Sequence, residues 1–244
     1  MEVLILGSGA GGLAGRRAQS SIVLREEGTV LLLDAGQPLP KRLYEESVDP
    51  QSISYVLVTH AHADHLFGLV GLLYDLATIG VRRAPPIYAG TFTVEKLRVL
   101  ERHFFPKSIE AEIEIIEDFK EEQIELGSLV IETFPVKHTI PTLGVRVFSR
   151  KTGRCVFYSS DTAFLENLRE KAECDVGIHE ATIPVGMEDC SHEAGHHSSP
   201  RQALTVLEKS RVRVLTHISE YTFRDPFSYE KPYIVAFDGL RISL

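Results

Sequence analysis

Cysteine is scarce in this chain. Cys155, Cys174 and Cys190 are the only three, and none sits in a C-x-x-C spacing. An odd, scattered set fits a reducing compartment better than a disulfide framework. Long apolar runs are also missing. No stretch approaches the ~20 apolar residues of a membrane helix. The opening Met1-Glu2-Val3-Leu4-Ile5-Leu6-Gly7 lacks the basic lead-in of a secretory signal. The expectation is a soluble cytoplasmic protein with no membrane partner. Positive charge is in deficit: 26 basic against 34 acidic residues leave a formal charge of −8. That balance argues against broad, charge-driven binding to nucleic acid but leaves room for a local basic patch. The pairs Arg16-Arg17, Lys41-Arg42 and Arg82-Arg83 read as solvated surface. Linkers, low-complexity tracts and repeats are absent as well. The length alone admits one or two domains, but nothing divides the chain, so residues 1–244 are read as one domain.

What is present begins with a glycine-rich segment. Gly7-x-Gly9-x-x-Gly12 follows a strand-like Val3–Leu6, and Asp34 stands where a ribose-binding acid would be expected. A dinucleotide site needs a helix between its two strands. Here Ser20-Ser21, the β-branched Ile22-Val23-Leu24 and the Gly28 turn signal predict a hairpin, with strands near Ser21–Arg25 and Thr29–Asp34. The glycines are then read as tight turns beside the site.

Further strands are expected at Tyr55–Val58, Ile87–Ala89, around Ile113-Ile115-Ile116, and at Leu129–Val136, Leu143–Phe148, Cys155–Ser159, Val176–His179, Val212–Leu215, Tyr233–Phe237 and Leu240–Leu244. A helix apolar nearly all round is expected over Leu66–Tyr74. Others are expected from Thr91, as cap, to Phe105, at Phe164–Lys171 and at Pro200–Glu208. Hairpins early and strand–helix alternation later suggest two sheets with helices outside.

The densest chemistry is His60-Ala61-His62-Ala63-Asp64-His65, directly after the apolar Tyr55–Val58. Imidazole nitrogens and a carboxylate suit zinc, manganese or iron. The pattern of an apolar run ending in a metal-capable residue recurs at His138, Asp161, His179-Glu180 and His217. Each alone fits a hydrogen-bonded structural residue. Together with the first motif they supply enough donors for two ions.

These motifs resemble the metallo-β-lactamase superfamily, and the resemblance covers nearly the whole chain. Val136–Gly144, His179-Glu180-Ala181-Thr182, His197-Ser198-Ser199 and Thr216-His217-Ile218-Ser219 are similar to motifs of its tRNase Z-like branch. The resemblance implies an α+β fold, an αβ/βα four-layer sandwich of two mixed sheets with helices outside. It implies two divalent ions, zinc first with manganese or iron as alternatives. His60, His62 and His138 would hold one, Asp64, His65 and His217 the other, and Asp161 would bridge them. Two such ions lower the pKa of a bridging water and supply hydroxide at neutral pH. Asp64 would orient or deprotonate it, and His197 would protonate the leaving oxygen, with His192 and His196 as alternatives. Asp34, His179 and Glu180 would support the ligands from behind. His103 is read as structural.

Processing enzymes of this branch carry a long tRNA-gripping arm between the residues matching His138 and Asp161. Here only two strands and the turn at Lys151-Thr152-Gly153 fit. The ending Phe237-Asp238-Gly239-Leu240 is similar to armless phosphodiesterases of the branch, although their cysteine-rich zinc segment is missing. The expected activity is therefore a binuclear phosphodiesterase on a small or nucleotide-like substrate. Alternatives are tRNA 3′ processing, hydrolysis of thioesters or lactones, and a non-catalytic binding protein. Relatives of this kind are often homodimers.

Overall fold

The computed structural model describes residues 1–12, 14–188, 195–225 and 227–244. Fourteen strands form two sheets of seven among the described residues. The first sheet holds β1 (Glu2–Gly7), β2 (Ser21–Glu26), β3 (Thr29–Leu33), β4 (Tyr55–Val58), β5 (Ile87–Gly90), β6 (Ile113–Ile116) and β14 (Leu240–Ser243), in the order β14-β1-β2-β3-β4-β5-β6. The second holds β7 (Glu122–Leu126), β8 (Leu129–Val136), β9 (Thr142–Ser149), β10 (Cys155–Tyr158), β11 (Val176–Glu180), β12 (Val212–Thr216) and β13 (Ile234–Val235), in the order β13-β12-β11-β10-β9-β8-β7.

In each sheet the strands joined by hairpins are antiparallel, and those joined by longer crossovers are parallel. β1–β2–β3 and β7–β8–β9–β10 are antiparallel. β3–β4–β5–β6 and β10–β11–β12–β13 are parallel. Parallel neighbours need long crossovers; α2 (Ala63–Leu66) and α3 (Gly68–Thr78) lie in the one from β4 to β5, α4 (Thr91–Phe104) in that from β5 to β6, α5 (Leu168–Lys171) in that from β10 to β11 and α6 (Pro200–Val206) in that from β11 to β12. The segment after Gly7 does enter an antiparallel hairpin, not the helix of a dinucleotide site.

Alternation along each strand sorts the core into layers. Val3, Ile5, Ile22, Leu24, Leu31, Leu33 and Leu57 meet Ile131, Val145, Val147, Val156 and Ile178 between the sheets. Leu4, Leu6, Val23, Leu32, Val56 and Val58 face the other way, against Leu39, Leu43, Leu69, Leu72 and Leu76 of the helices. Phe157 and Leu215 pack under Leu168, Leu204 and Leu207 on the far side. The central strands β1–β5 and β10–β12 are covered on both faces and read as nearly unbroken apolar runs, while the edge strands β6, β7 and β14 turn one face to water. The four-layer sandwich is as expected.

Several details differ from expectation. A helix α1 (Leu39–Glu45) and strand β7 went unpredicted. α5 is shorter than expected, covering Leu168–Lys171 alone. The helix after the His60–His65 motif is not apolar all round: Phe67 and Tyr74 are about half exposed while Leu69, Leu72, Leu73 and Leu76 are buried, so it packs by one face only. Thr91 is the first helical residue of α4, not its cap. The orphan N–H of Phe92 instead donates to Asp118 Oδ2 at 2.8 Å, and a Cβ on Gly90 would lie 1.9 Å from Asp118 Oδ1. Two of the basic pairs are not plain surface. Arg17 donates to Ser8 Oγ and the Ala236 carbonyl, and Arg42 donates to the Leu6 carbonyl and to Glu46. Cys155 and Cys174 are disulfide-bonded, with Cα atoms 4.9 Å apart, contrary to the expected absence of disulfides. The parallel register of β10 and β11, which pairs Val156 with Val176, brings the two cysteines together.

Candidate metal centre

The chemistry-bearing residues follow the carboxyl ends of β3, β4, β8, β10, β11 and β12, the edge where open parallel sheets gather ligand sites. β4 runs into Thr59 and His60. The chain stays extended at His62 and then turns into α2, so that Asp64 and His65 stand on its first turn. Asp34, Ser160 and His217 follow their strands with φ of 59°, 54° and 55°. These left-handed positions are costly for residues with a side chain. They bend the chain sharply just where a strand hands its last side chain to the site.

Two groups of candidate donor atoms share Asp161, each with its atoms within 4.8 Å of one another: His60, His62, His138 and Asp161, and Asp64, His65, Asp161 and His217; a third set joins Glu180, His197 and His217. In the first, His62 Nδ1 lies 3.1 Å from His60 Nε2 and 3.0 Å from His138 Nε2. Asp161 Oδ2 lies 3.7 Å from His60 Nε2 and 3.9 Å from His138 Nε2. In the second, His65 Nε2 and His217 Nε2 are 3.4 Å apart. Asp161 offers Oδ1 to His65 and Oδ2 to His217, both at 3.3 Å. Asp64 Oδ2 is 3.2 Å from His217 Nε2. A tetrahedron of ligands with zinc bonds of ~2.0–2.1 Å has edges of about 3.3–3.4 Å, so these separations fit an ion in each group. Asp161 Oδ1 is buried without a hydrogen-bond donor, which also fits a cation.

The electrostatics agree. Burial, reinforced by His65, holds His60 well below the usual imidazole range. Burial likewise pushes His138 down to about 4 against the pull of Asp161, and lowers His62. These three are neutral, with nitrogen lone pairs to offer. Burial pushes the Asp161 carboxyl up, but His217 and His65 outweigh it and hold it well below the carboxylate range. Asp64 is likewise held low by His65 and His217 against burial. Burial opposes a charge on His65, yet Asp161, Asp34 and Asp64 overcome it and raise its pKa strongly. Three carboxylates around one imidazole make this spot demand positive charge.

Behind the two donor groups lies a second set of bonds. Asp34, fully buried, accepts from the Thr59 N–H at 2.8 Å, from His65 Nδ1 at 2.8 Å and from the Tyr158 hydroxyl at 3.0 Å. That places Asp34 directly behind His65. Glu180 Oε1 accepts from the Thr162 N–H at 3.0 Å and pairs with His197 Nδ1 at 2.8 Å, while its Oε2 accepts from the Thr182 N–H at 3.0 Å. Thr182 Oγ1 in turn sits 2.7 Å from His217 Nδ1. Nothing in the sequence singled out Thr59 or Tyr158, and Thr182 stood out only as the last residue of the His179–Thr182 motif. Their roles arise from strands far apart in the chain.

His197 lies beside the clusters, stacked on His217 at 5.6 Å and edge-on to His138 at 4.9 Å. It lines a cavity of about 380 Å³ together with His62, Asp64, Asp161 and His217. His196 contributes its backbone carbonyl to His138 Nδ1 at 2.9 Å. His192 lies outside the described residues. His179 is buried, bonded to the Glu180 carbonyl and set against Phe157, and takes no place in either group. His103 sits on α4, away from the site.

Residues 1–225 match the model of the family described as Anti-Pycsar protein Apyc1. The chain belongs to this family. It is 28% identical to a ribonuclease Z of Ignicoccus hospitalis, over 87% of this chain and 85% of that protein. It is 26% identical to a ribonuclease Z of Bacillus subtilis, over 90% and 88%. Among solved structures it is similar to the short form of human tRNase Z, with a TM-score of 0.78 and 25% identity over 100% of this chain and 99% of that one. The metallo-β-lactamase fold protein YhfI of Bacillus subtilis superposes with a TM-score of 0.81 at 18% identity, each chain covered to 99%. The superfamily and the tRNase Z-like branch that the motifs implied are thereby borne out.

Proposed function

We propose that this chain is a metal-dependent phosphodiesterase acting on a small or nucleotide-like phosphodiester. One observation carries the reading: two donor groups share Asp161 on the floor of a cavity that His197, backed by Glu180, also lines. His60, His62 and His138 would hold one divalent ion, and Asp64, His65 and His217 the other, with Asp161 between them. The nitrogen-rich donor set suits zinc. Bound ions would acidify a water and neutralise charge building on the phosphoryl oxygens.

The protein's own groups do the rest. Asp64, ionised and open to the cavity, orients the attacking water by accepting its hydrogen bond. His197 is fixed by Glu180 at Nδ1, which directs Nε2 to the leaving oxygen. As the P–O bond breaks, the imidazolium gives its Nε2 proton to the departing oxygen, and the buried Glu180 carboxylate stabilises the charged ring beforehand. Burial pushes Glu180 up, but His197 holds it ionised.

A second reading, tRNA 3′ processing, is supported by the ribonuclease Z names of the relatives. Against it, the span between His138 and Asp161 is filled by β9, a turn and β10, with no room for a gripping arm, and the chain is net acidic. The test is a panel: protein loaded with zinc or manganese is given an aryl phosphodiester, a thioester, a lactone and a precursor tRNA. Phosphodiester hydrolysis that Asp161→Ala abolishes is the expected result. Turnover of the carboxyl substrates alone would refute the proposal. Efficient cleavage of the precursor tRNA would move it to the second reading. Metal binding without turnover would leave a binding protein on this fold.

A further inference from the structure

The cavity over the donor groups has two unlike sides. One is the imidazole and carboxylate floor. Another is formed by Ile183, Pro184 and Tyr221, none of which the chemistry above uses. Tyr221 is 46% exposed, and its side chain has no hydrogen bond or ring contact among the described residues. With Pro184 it also borders a second cavity of about 410 Å³ that Met187, Arg224 and Asp225 line. The tyrosine thus stands as a partition at the mouth of the site.

Its position is not loose. Thr222, fully buried, donates from Oγ1 to the Thr182 carbonyl at 3.1 Å and accepts the Ser219 N–H at 3.0 Å. The Val185 N–H donates to the Thr222 carbonyl at 3.1 Å, and the Tyr221 N–H donates to Ser219 Oγ at 3.3 Å. Thr182 is the residue that meets His217 Nδ1. The same short network therefore sets both a metal-side imidazole and the aromatic wall. An aromatic surface held in register with a charged floor suits a ligand with one anionic end and one planar end.

We propose that Tyr221, flanked by Ile183 and Pro184, is a specificity-determining wall on which the nucleobase of a nucleotide-like substrate stacks while its phosphodiester lies over the donor groups. This rests on the phosphodiesterase reading above. Base–aromatic stacking tolerates any base, because each has a π face. The wall therefore selects nucleotides over simple alkyl esters without selecting among bases.

The test compares thymidine 5′-(p-nitrophenyl phosphate) with methyl p-nitrophenyl phosphate, which lose the same leaving group and differ by the nucleoside. Wild type is expected to prefer the nucleoside ester. Tyr221→Ala is expected to lower that preference, as the ratio of kcat/KM values, about tenfold through KM, with Tyr221→Phe retaining it. The dissociation constant of thymidine 5′-monophosphate, measured by calorimetry, is expected to rise in parallel in Tyr221→Ala. A preference unchanged in Tyr221→Ala, or lost equally in Tyr221→Phe, overturns the wall. So does a wild type that hydrolyses both esters equally well, and the phosphodiesterase reading then survives. A wild type that hydrolyses neither ester overturns that reading and the wall with it.

Discussion

Replacing Asp34 by asparagine exchanges one oxygen for nitrogen in the most enclosed part of the site. The expected effect is a proton on the wrong nitrogen of His65. In the native protein Oδ1 accepts from Thr59, and Oδ2 accepts from His65 Nδ1 and the Tyr158 hydroxyl. An asparagine that keeps its carbonyl toward Thr59 presents an NH2 group to His65. Tyr158 can turn its hydroxyl and accept. His65 Nδ1 can accept only by giving up its hydrogen, which then moves to Nε2, the atom 3.3 Å from Asp161 Oδ1 and 3.4 Å from His217 Nε2. The alternative is a donor facing a donor. Either way one hydrogen bond to a charged acceptor is lost, worth about 1.5–3 kcal/mol. Because 1.4 kcal/mol is tenfold, metal affinity at the group of Asp64, His65, Asp161 and His217 is expected to fall about 10–100-fold. The protein still folds, since total stability is roughly 5–15 kcal/mol. Competition with a zinc chelator, followed by metal counting, measures this directly. An affinity within twofold of wild type would refute the orienting role of Asp34.

The remaining expectations concern proton delivery and packing. His197→Ala is expected to lower kcat about 100–1000-fold on a phosphodiester with an alkoxide leaving group, but far less on a p-nitrophenyl ester, which needs no proton. Equal losses on both would remove His197 from proton delivery. Glu180→Gln is expected to show the same pattern more weakly. In Gly36→Ala the added Cβ would sit 2.3 Å from the Asp64 carbonyl oxygen and 2.6 Å from the Gln19 carbonyl carbon. Overpacking of that kind costs about 1–3 kcal/mol, and a melting temperature lower by roughly 3–10 °C is expected by calorimetry. An unchanged melting temperature would mean that the first turn of α2, which carries Asp64, is not held by this contact.

The parts of the protein that the sequence foretold are those whose signal is local. The β2–β3 hairpin shows in Ile22-Val23-Leu24 and Gly28, and the clustered donor side chains show as residues placed right after apolar runs. Helix α1 was hidden by Pro38 and Pro40, although proline in a first helical turn costs little. Strand β7 was hidden by the acidic residues Glu122 and Glu125 at a sheet edge, where one face meets water. The disulfide partners Cys155 and Cys174 depend on the register of β10 with β11, which no local pattern encodes. The same is true of Thr182, Tyr158 and Tyr221, ordinary residues whose neighbours come from distant strands.

Asp34, Ser160 and His217 share a left-handed backbone that glycine would adopt without strain. Such positions cost about 1–3 kcal/mol each when a side chain is kept. At these three turns the requirements of folding and of chemistry point to different residues. A sequence selected for durability alone would drift toward glycine there and give up a carboxylate, a hydroxyl and an imidazole. Each of the three turns therefore keeps a polar side chain beside the donor groups at a cost in backbone stability.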